Sequence, residues 1–145
     1  MITSCRSSRK VSVNISINNK SVSETKKTPG SDFESKIKIK KDVAPIEIDT
    51  KDVSTDKVAW YAKTLIGKPY VYGSCDKNKG FDCSGFIWHV FDHFNIKVPR
   101  TSSDFTHAGK EIKAAKSKVG DLILFTGSDK SSGKVGHMGM IVQNN

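Results

Sequence analysis

Two stretches of the chain carry apolar residues at helical spacing. In residues 54–67, STDKVAWYAKTLIG, the side chains of Val58, Ala59, Ala62, Leu65 and Ile66 fall on one stripe. Ser54 or Thr55 can cap its start, and Gly67 stops it. From Cys83 onward Phe86, Ile87, Val90, Phe91 and Phe94 share one face at 100° per residue, and NIKVP ends that run. Between them, KPYVYGS reads as a short extended piece in which Pro69 blocks helix continuation, and CDKNKG as a loop. RTSSDFTHAG suits one short helix capped by Thr101 or Ser102 and closed by Gly109. VGDLILF (119–125) and GHMGMIV (136–142) then read as strands joined by the loop TGSDKSSGKV. Helices first and strands later predict an α+β domain over residues 55–145.

The first 54 residues break this pattern. They are rich in Ser, Lys, Asn, Thr and Asp and hold one aromatic residue, Phe33. VSVNISI (11–17) and KIKIK (36–40) alternate apolar and polar positions, a weak strand signal. The composition favours a solvated tether over 1–54, because so little apolar surface cannot offset the entropy of ordering it. No run approaches the roughly 18 apolar residues of a membrane span. The opening MITSC resembles the end of a bacterial lipoprotein cleavage box, in which Cys5 would carry the lipid.

Charge adds a direction but no partner by itself. The 145 residues hold 24 Lys and Arg against 15 Asp and Glu, a net charge of +9 shared by both halves. A basic excess suits an anionic wall polymer or membrane. No aromatic-basic strip, zinc-finger spacing or recognition helix points to nucleic acid.

Three cysteines, Cys5, Cys75 and Cys83, cannot all pair, so at least one thiol needs another explanation. Cys83 sits in GFDCSGF, where a loop ends and an amphipathic helix begins. Unpaired N–H groups and the positive dipole end at a helix start stabilise an anion, so this is where a thiolate can form. Gly85 would leave room beside the sulfur, and the Cys83 N–H could donate to a developing oxyanion. A nucleophile of this kind needs a base within reach. His107 reads as a surface residue. His89 and His93 stand four apart on one helix and invite a metal reading, but HVFDH lacks the glutamate of the zinc-peptidase pattern. His137 opens the last strand between Gly136 and Gly139, where backbone or substrate could approach.

With Cys83 and His137 in view, residues 56–145 resemble the NlpC-type cell-wall cysteine peptidases, which are papain-like. GKPYVYGS, GFDCSGF, VPRTSSDFTHAGKEI, VGDLILF and GHMGMIV follow in that family's order and spacing. The resemblance implies a papain-like domain with N-terminal helices packed on an antiparallel sheet. It implies hydrolysis of peptidoglycan stem peptides, typically between γ-linked D-glutamate and a diamino acid, with no metal or other cofactor. Cys83 would be the nucleophile and His137 the base. Tyr70 would line the site and polarise the scissile carbonyl, and Asp82 and Ser84 would contact the amino end of the stem. A place in the bacterial envelope, or secretion, follows, with membrane attachment through Cys5.

Three departures bear on that reading. The residue that orients the histidine should lie about a dozen positions after it, past Asn145, which implies a domain with its C-terminal strands cut short. None of Gln143, Asn144 and Asn145 is assigned the role. Phe105 stands where the family often has glutamine, which weakens one substrate contact, and Cys75 is an extra cysteine. The rival reading is therefore an envelope lipoprotein that binds wall peptides with impaired catalysis. A third keeps the chemistry on another amide, such as that joining stem to sugar.

Overall fold

The structure, a computed structural model, describes residues 10–14, 44, 46–128 and 131–143. In chain order the elements are β1 (Lys10–Asn14), α1 (Thr55–Thr64), β2 (Cys75–Asp76), β3 (Gly80–Phe81), α2 (Cys83–Asp92), β4 (Lys110–Ile112), β5 (Leu122–Thr126) and β6 (Val135–Met140). Short 3₁₀ turns at Asp104–His107 and Ala114–Lys116 flank β4. The architecture is α+β, with helices packed on an antiparallel sheet.

Both helices form where apolar periodicity predicts them. Ser54 is the N-cap of α1, which closes at Leu65 just before Gly67 turns with φ +95°. Its buried stripe of Val58, Ala59 and Ala62 meets α2, whose Ile87, Val90 and Phe91 are also buried. On its other side α2 packs against β6. Alternation sets the inner face of β5, where Leu122 and Leu124 are buried; Val135 and Met138 of β6 are buried too, their odd spacing crossing the register shift at Phe125/Thr126. Each large side chain fully buried in this core contributes about 1.5–3 kcal/mol.

The strands order as β4-β1-β5-β6, each pair antiparallel. Residues 10–14 therefore depart from the tether expectation: β1 lies between two partners, Val13 opposite both Glu111 and Leu122. The apolar alternation there, the weaker signal, is the one the backbone follows. Of the remaining 1–54 segment, most, Cys5 and its proposed lipid included, lies outside the described residues. The described part from Ile46 joins the domain before Thr55. Ile46, Ile48 and Val53 pack on the core, and the Ile46 N–H donates to the His107 carbonyl at 2.7 Å.

Three local details differ from the sequence pattern. CDKNKG is a tight hairpin, β2 against β3, in which the Asn78 N–H donates to the Asp76 carboxylate at 2.8 Å. The helix sought after Arg100 is a single 3₁₀ turn with Ser103 at its cap, where the Thr101 hydroxyl donates to Asp104 at 2.6 Å. Phe105, expected to mark a weakened substrate contact, is 0% exposed and belongs to the core.

Candidate active site

The site is built around the start of α2. Asp82 is the cap, in extended conformation, and its carboxylate accepts from the Gly85 N–H while its own N–H donates to the Ser74 carbonyl at 3.0 Å. Cys83 is thus the first helical residue, half-buried and free. With the Asp82 and Gly85 amides engaged, the amides of Cys83 and Ser84 remain at the positive end of the helix, with no acceptor in the preceding turn.

Gly85 serves a different purpose from the one its position suggested. A Cβ there would stand 2.1 Å from the Ser74 carbonyl oxygen, so the space beside the first turn is filled by the protein's own loop, not left for substrate. Gly136 is similar: its Cβ would lie 2.6 Å from the Gly127 Cα, and the closely approaching backbone is the other side of the β5–β6 connection.

Tyr70 reaches the site from the loop after α1. The Phe81 N–H donates to the Pro69 carbonyl and the Val71 N–H to the Phe81 carbonyl, both at 3.0 Å, so residues 69–71 run alongside β3. Slight burial, then the neighbouring Cys83 and Asp82, hold the largely exposed Tyr70 phenol above its ordinary value. It is therefore a proton donor throughout the neutral range. His137 arrives from β6, opposite Phe125 on β5.

A cleft of about 260 Å³ joins these elements. Tyr70, Asp82, Cys83 and His137 all line it, with Phe86 and Met138 on its apolar side. The structure thus brings together four of the five site residues placed on the folded domain. Ser84 lies beneath, buried, its hydroxyl donating to Asp82 at 3.3 Å. His89 and His93 spend their rings elsewhere: His93 stacks on Tyr61 at 3.7 Å between ring centroids, and His89 shares a 3.2 Å hydrogen bond with the Tyr61 hydroxyl.

The sequence reading missed Arg100. Its guanidinium donates to both Asp82 oxygens, at 3.1 and 2.9 Å, to the Ser84 hydroxyl at 3.0 Å and to the Gly73 carbonyl at 2.9 Å. Burial pushes the Asp82 carboxyl up, but the Arg100 fork and the Gly85 N–H outweigh it and hold the group below the usual carboxylate range. The only signal in the sequence was an arginine directly after Val98-Pro99, 18 positions beyond its partner. Nothing in local periodicity connects the two.

A model of the NlpC/P60 family matches residues 67–145. Gamma-DL-glutamyl hydrolase of Bacillus subtilis (strain 168) is 37% identical over 79 residues, 54% of this chain and 19% of that protein. Murein DD-endopeptidase MepH of Escherichia coli (strain K12) is 35% identical over 82 residues, 54% of this chain and 30% of that one. Probable peptidoglycan endopeptidase LytE of Bacillus subtilis is 39% identical over 94 residues, covering 64% and 26%. The chain thus spans less than a third of the length of these relatives. A crystal structure of an NLP/P60 family protein from Staphylococcus aureus, described as similar to lipoprotein, superimposes with a TM-score of 0.55 at 33% identity, over 72% of this chain and 35% of that one.

Proposed function

The chain belongs to the NlpC/P60 family, and from that premise we propose that it is a cysteine peptidase hydrolysing the stem peptides of peptidoglycan. The observation that carries the reading is the shared cleft: the half-buried thiol at the first position of α2, with His137 and Tyr70 among the residues lining the same groove. Relatives named as peptidoglycan endopeptidase and murein endopeptidase favour the substrate class.

In this reading His137 takes the proton of Cys83, and the thiolate forms at the helix start, where the dipole favours it. The sulfur attacks the scissile carbonyl carbon, and its oxygen gathers negative charge. The Cys83 amide and the Tyr70 hydroxyl donate to that oxygen. Collapse breaks the C–N bond, the amine leaves with the proton from His137, and a thioester to Cys83 remains. Water, deprotonated by His137, attacks the thioester. The acid product departs and the thiol is restored. Each step uses only side chains, one backbone amide and water.

The bond is the one between γ-linked D-glutamate and the diamino acid. One relative is named as a gamma-D-glutamyl-L-lysine dipeptidyl-peptidase. The site of action is the cell envelope or the medium, with Cys5 as a lipid attachment point. The test is incubation of purified protein with a defined stem tetrapeptide, read by mass spectrometry. Release of a dipeptide by the wild type and none by Cys83→Ala supports the assignment. Release unaffected by Cys83→Ala ends it.

A further inference from the structure

We propose that Arg100 is a positioning residue, which locks Asp82 as the cap of α2 and ties the tyrosine loop to that helix so that the two walls of the cleft keep one spacing. The inference deepens the peptidase reading and rests on it for the reaction concerned. Two terminal nitrogens of one guanidinium serve four acceptors: Asp82 Oδ1, Asp82 Oδ2, Ser84 Oγ and the Gly73 carbonyl. Gly73 closes the loop that carries Tyr70 and Tyr72, whereas Asp82 and Ser84 belong to the start of α2. The side chain therefore bridges two segments that backbone bonds also join, through Pro69, Val71 and Ser74 on one side and Phe81 and Asp82 on the other.

The acceptor set also specifies which side chain can stand here. Asp82 Oδ1 receives the Gly85 N–H, the Ser84 hydroxyl and one Arg100 nitrogen, while Oδ2 receives the other. A planar fork with donors on both arms fits that geometry, and an ammonium, with its donors on a single atom, does not. The carboxylate is mostly buried, its side chain 11% exposed, so it stays ionised because the guanidinium faces it. Fixing the cap fixes the direction of the Cys83 and Ser84 amides, which are the groups that meet the thiolate and the oxyanion. Arg100 itself does not line the cleft. Its effect reaches the reacting atoms through Asp82 and through the loop.

The test compares wild type with Arg100→Lys, Arg100→Gln, Asp82→Asn and the double variant Asp82→Asn/Arg100→Lys in the full chain, each checked for folding by circular dichroism. One readout needs no substrate: the rate of iodoacetamide alkylation at the Cys83 peptide as a function of pH. The second is kcat and KM on the stem peptide. Arg100→Lys is expected to slow alkylation near pH 7, to move its pH profile upward and to lower kcat by about tenfold to a hundredfold. The double variant is expected to be no worse than the poorer single one, because both changes break the same network. A wild-type alkylation profile in Arg100→Lys, or losses that simply multiply in the double variant, overturns the proposal. So does failure of both Arg100 variants to fold, which would make the residue a requirement of the fold instead of the cleft. A wild-type protein inert on stem peptides, whose alkylation still responds to Arg100→Lys, would remove the peptidase reading and leave the positioning role standing.

Discussion

Phe125 and His137 face each other as cross-strand partners on β5 and β6, with ring centroids 5.8 Å apart and planes tilted by 33°. The pairing shifts register immediately beyond Phe125, at Thr126, so His137 sits where the ladder bends. Bulges of this kind re-aim side chains. The imidazole lines the cleft and has an aromatic ring on one side.

Replacing Phe125 by Ala removes that ring. The variant should lose about tenfold in kcat on a stem peptide, because a base that samples several orientations spends less time aimed at the thiol. Phe125→Tyr, which keeps the ring, should lose much less. Steady-state kinetics on the two variants decide it, and equal losses would show that the ring does not orient the base.

In the proposed mechanism Tyr70 donates to the oxyanion. Tyr70→Phe keeps the ring against the loop and deletes the donor, so kcat should fall about a hundredfold while KM changes little. Because the phenol is held above its ordinary value, the wild-type pH–rate profile should show no limb from Tyr70 below pH 10. A dominant rise in KM would make Tyr70 a binding residue instead.

Two carboxylates should give opposite pH dependences. The folded pKa of Asp82 is lowered, so its contribution to stability is present above its unfolded value of 3.8 and is lost as pH falls through the folded value. Burial raises the folded pKa of Asp121, although the Lys118 N–H donates to it at 2.7 Å, so ionising it costs stability as pH rises past 3.8. Asp121→Asn should therefore melt higher than wild type at pH 7, the gap closing below pH 3.8, whereas Asp82→Asn should melt lower at pH 7. Calorimetric scans at the two pH values check both signs.

Gly85→Ala should destabilise the fold by about 1–3 kcal/mol, since the new methyl meets the Ser74 carbonyl and backbone must move. Chemical denaturation measures the loss. Unchanged stability would mean that the Ser74 loop yields without cost.

How much of this could be read from the chain follows from the range of each interaction. The helices starting at Thr55 and Cys83 depend on side chains three and four apart, and the Asp82 cap on a bond three residues long, so both are local patterns. That Cys83, Tyr70, Asp82 and His137 share one cleft came from motif order, which carries the topology that periodicity lacks. Arg100 was missed because its partners lie 16 to 27 residues away, at spacings with no local signature. The burial of Phe105 was not legible for a similar reason: it depends on the Ile46–Ala108 crossing and the neighbouring helices, none of which a substitution pattern at one position displays. β1 was outweighed by composition, because the two strands that satisfy its backbone lie about a hundred residues further along.

With Lys10–Asn14 bonded on both flanks, the sheet cannot be completed until the earliest described residues meet some of the last. So distant an encounter is slow to form, and it makes the amino-terminal stretch a late arrival during folding. A protease that nicked the chain between Asn14 and Ile46 would not by itself free the strand, which would stay in place as a non-covalent insert. Complete removal of that stretch would part Lys110–Ile112 from the rest of the sheet and bare the flank of Leu122–Thr126 to any extended peptide nearby.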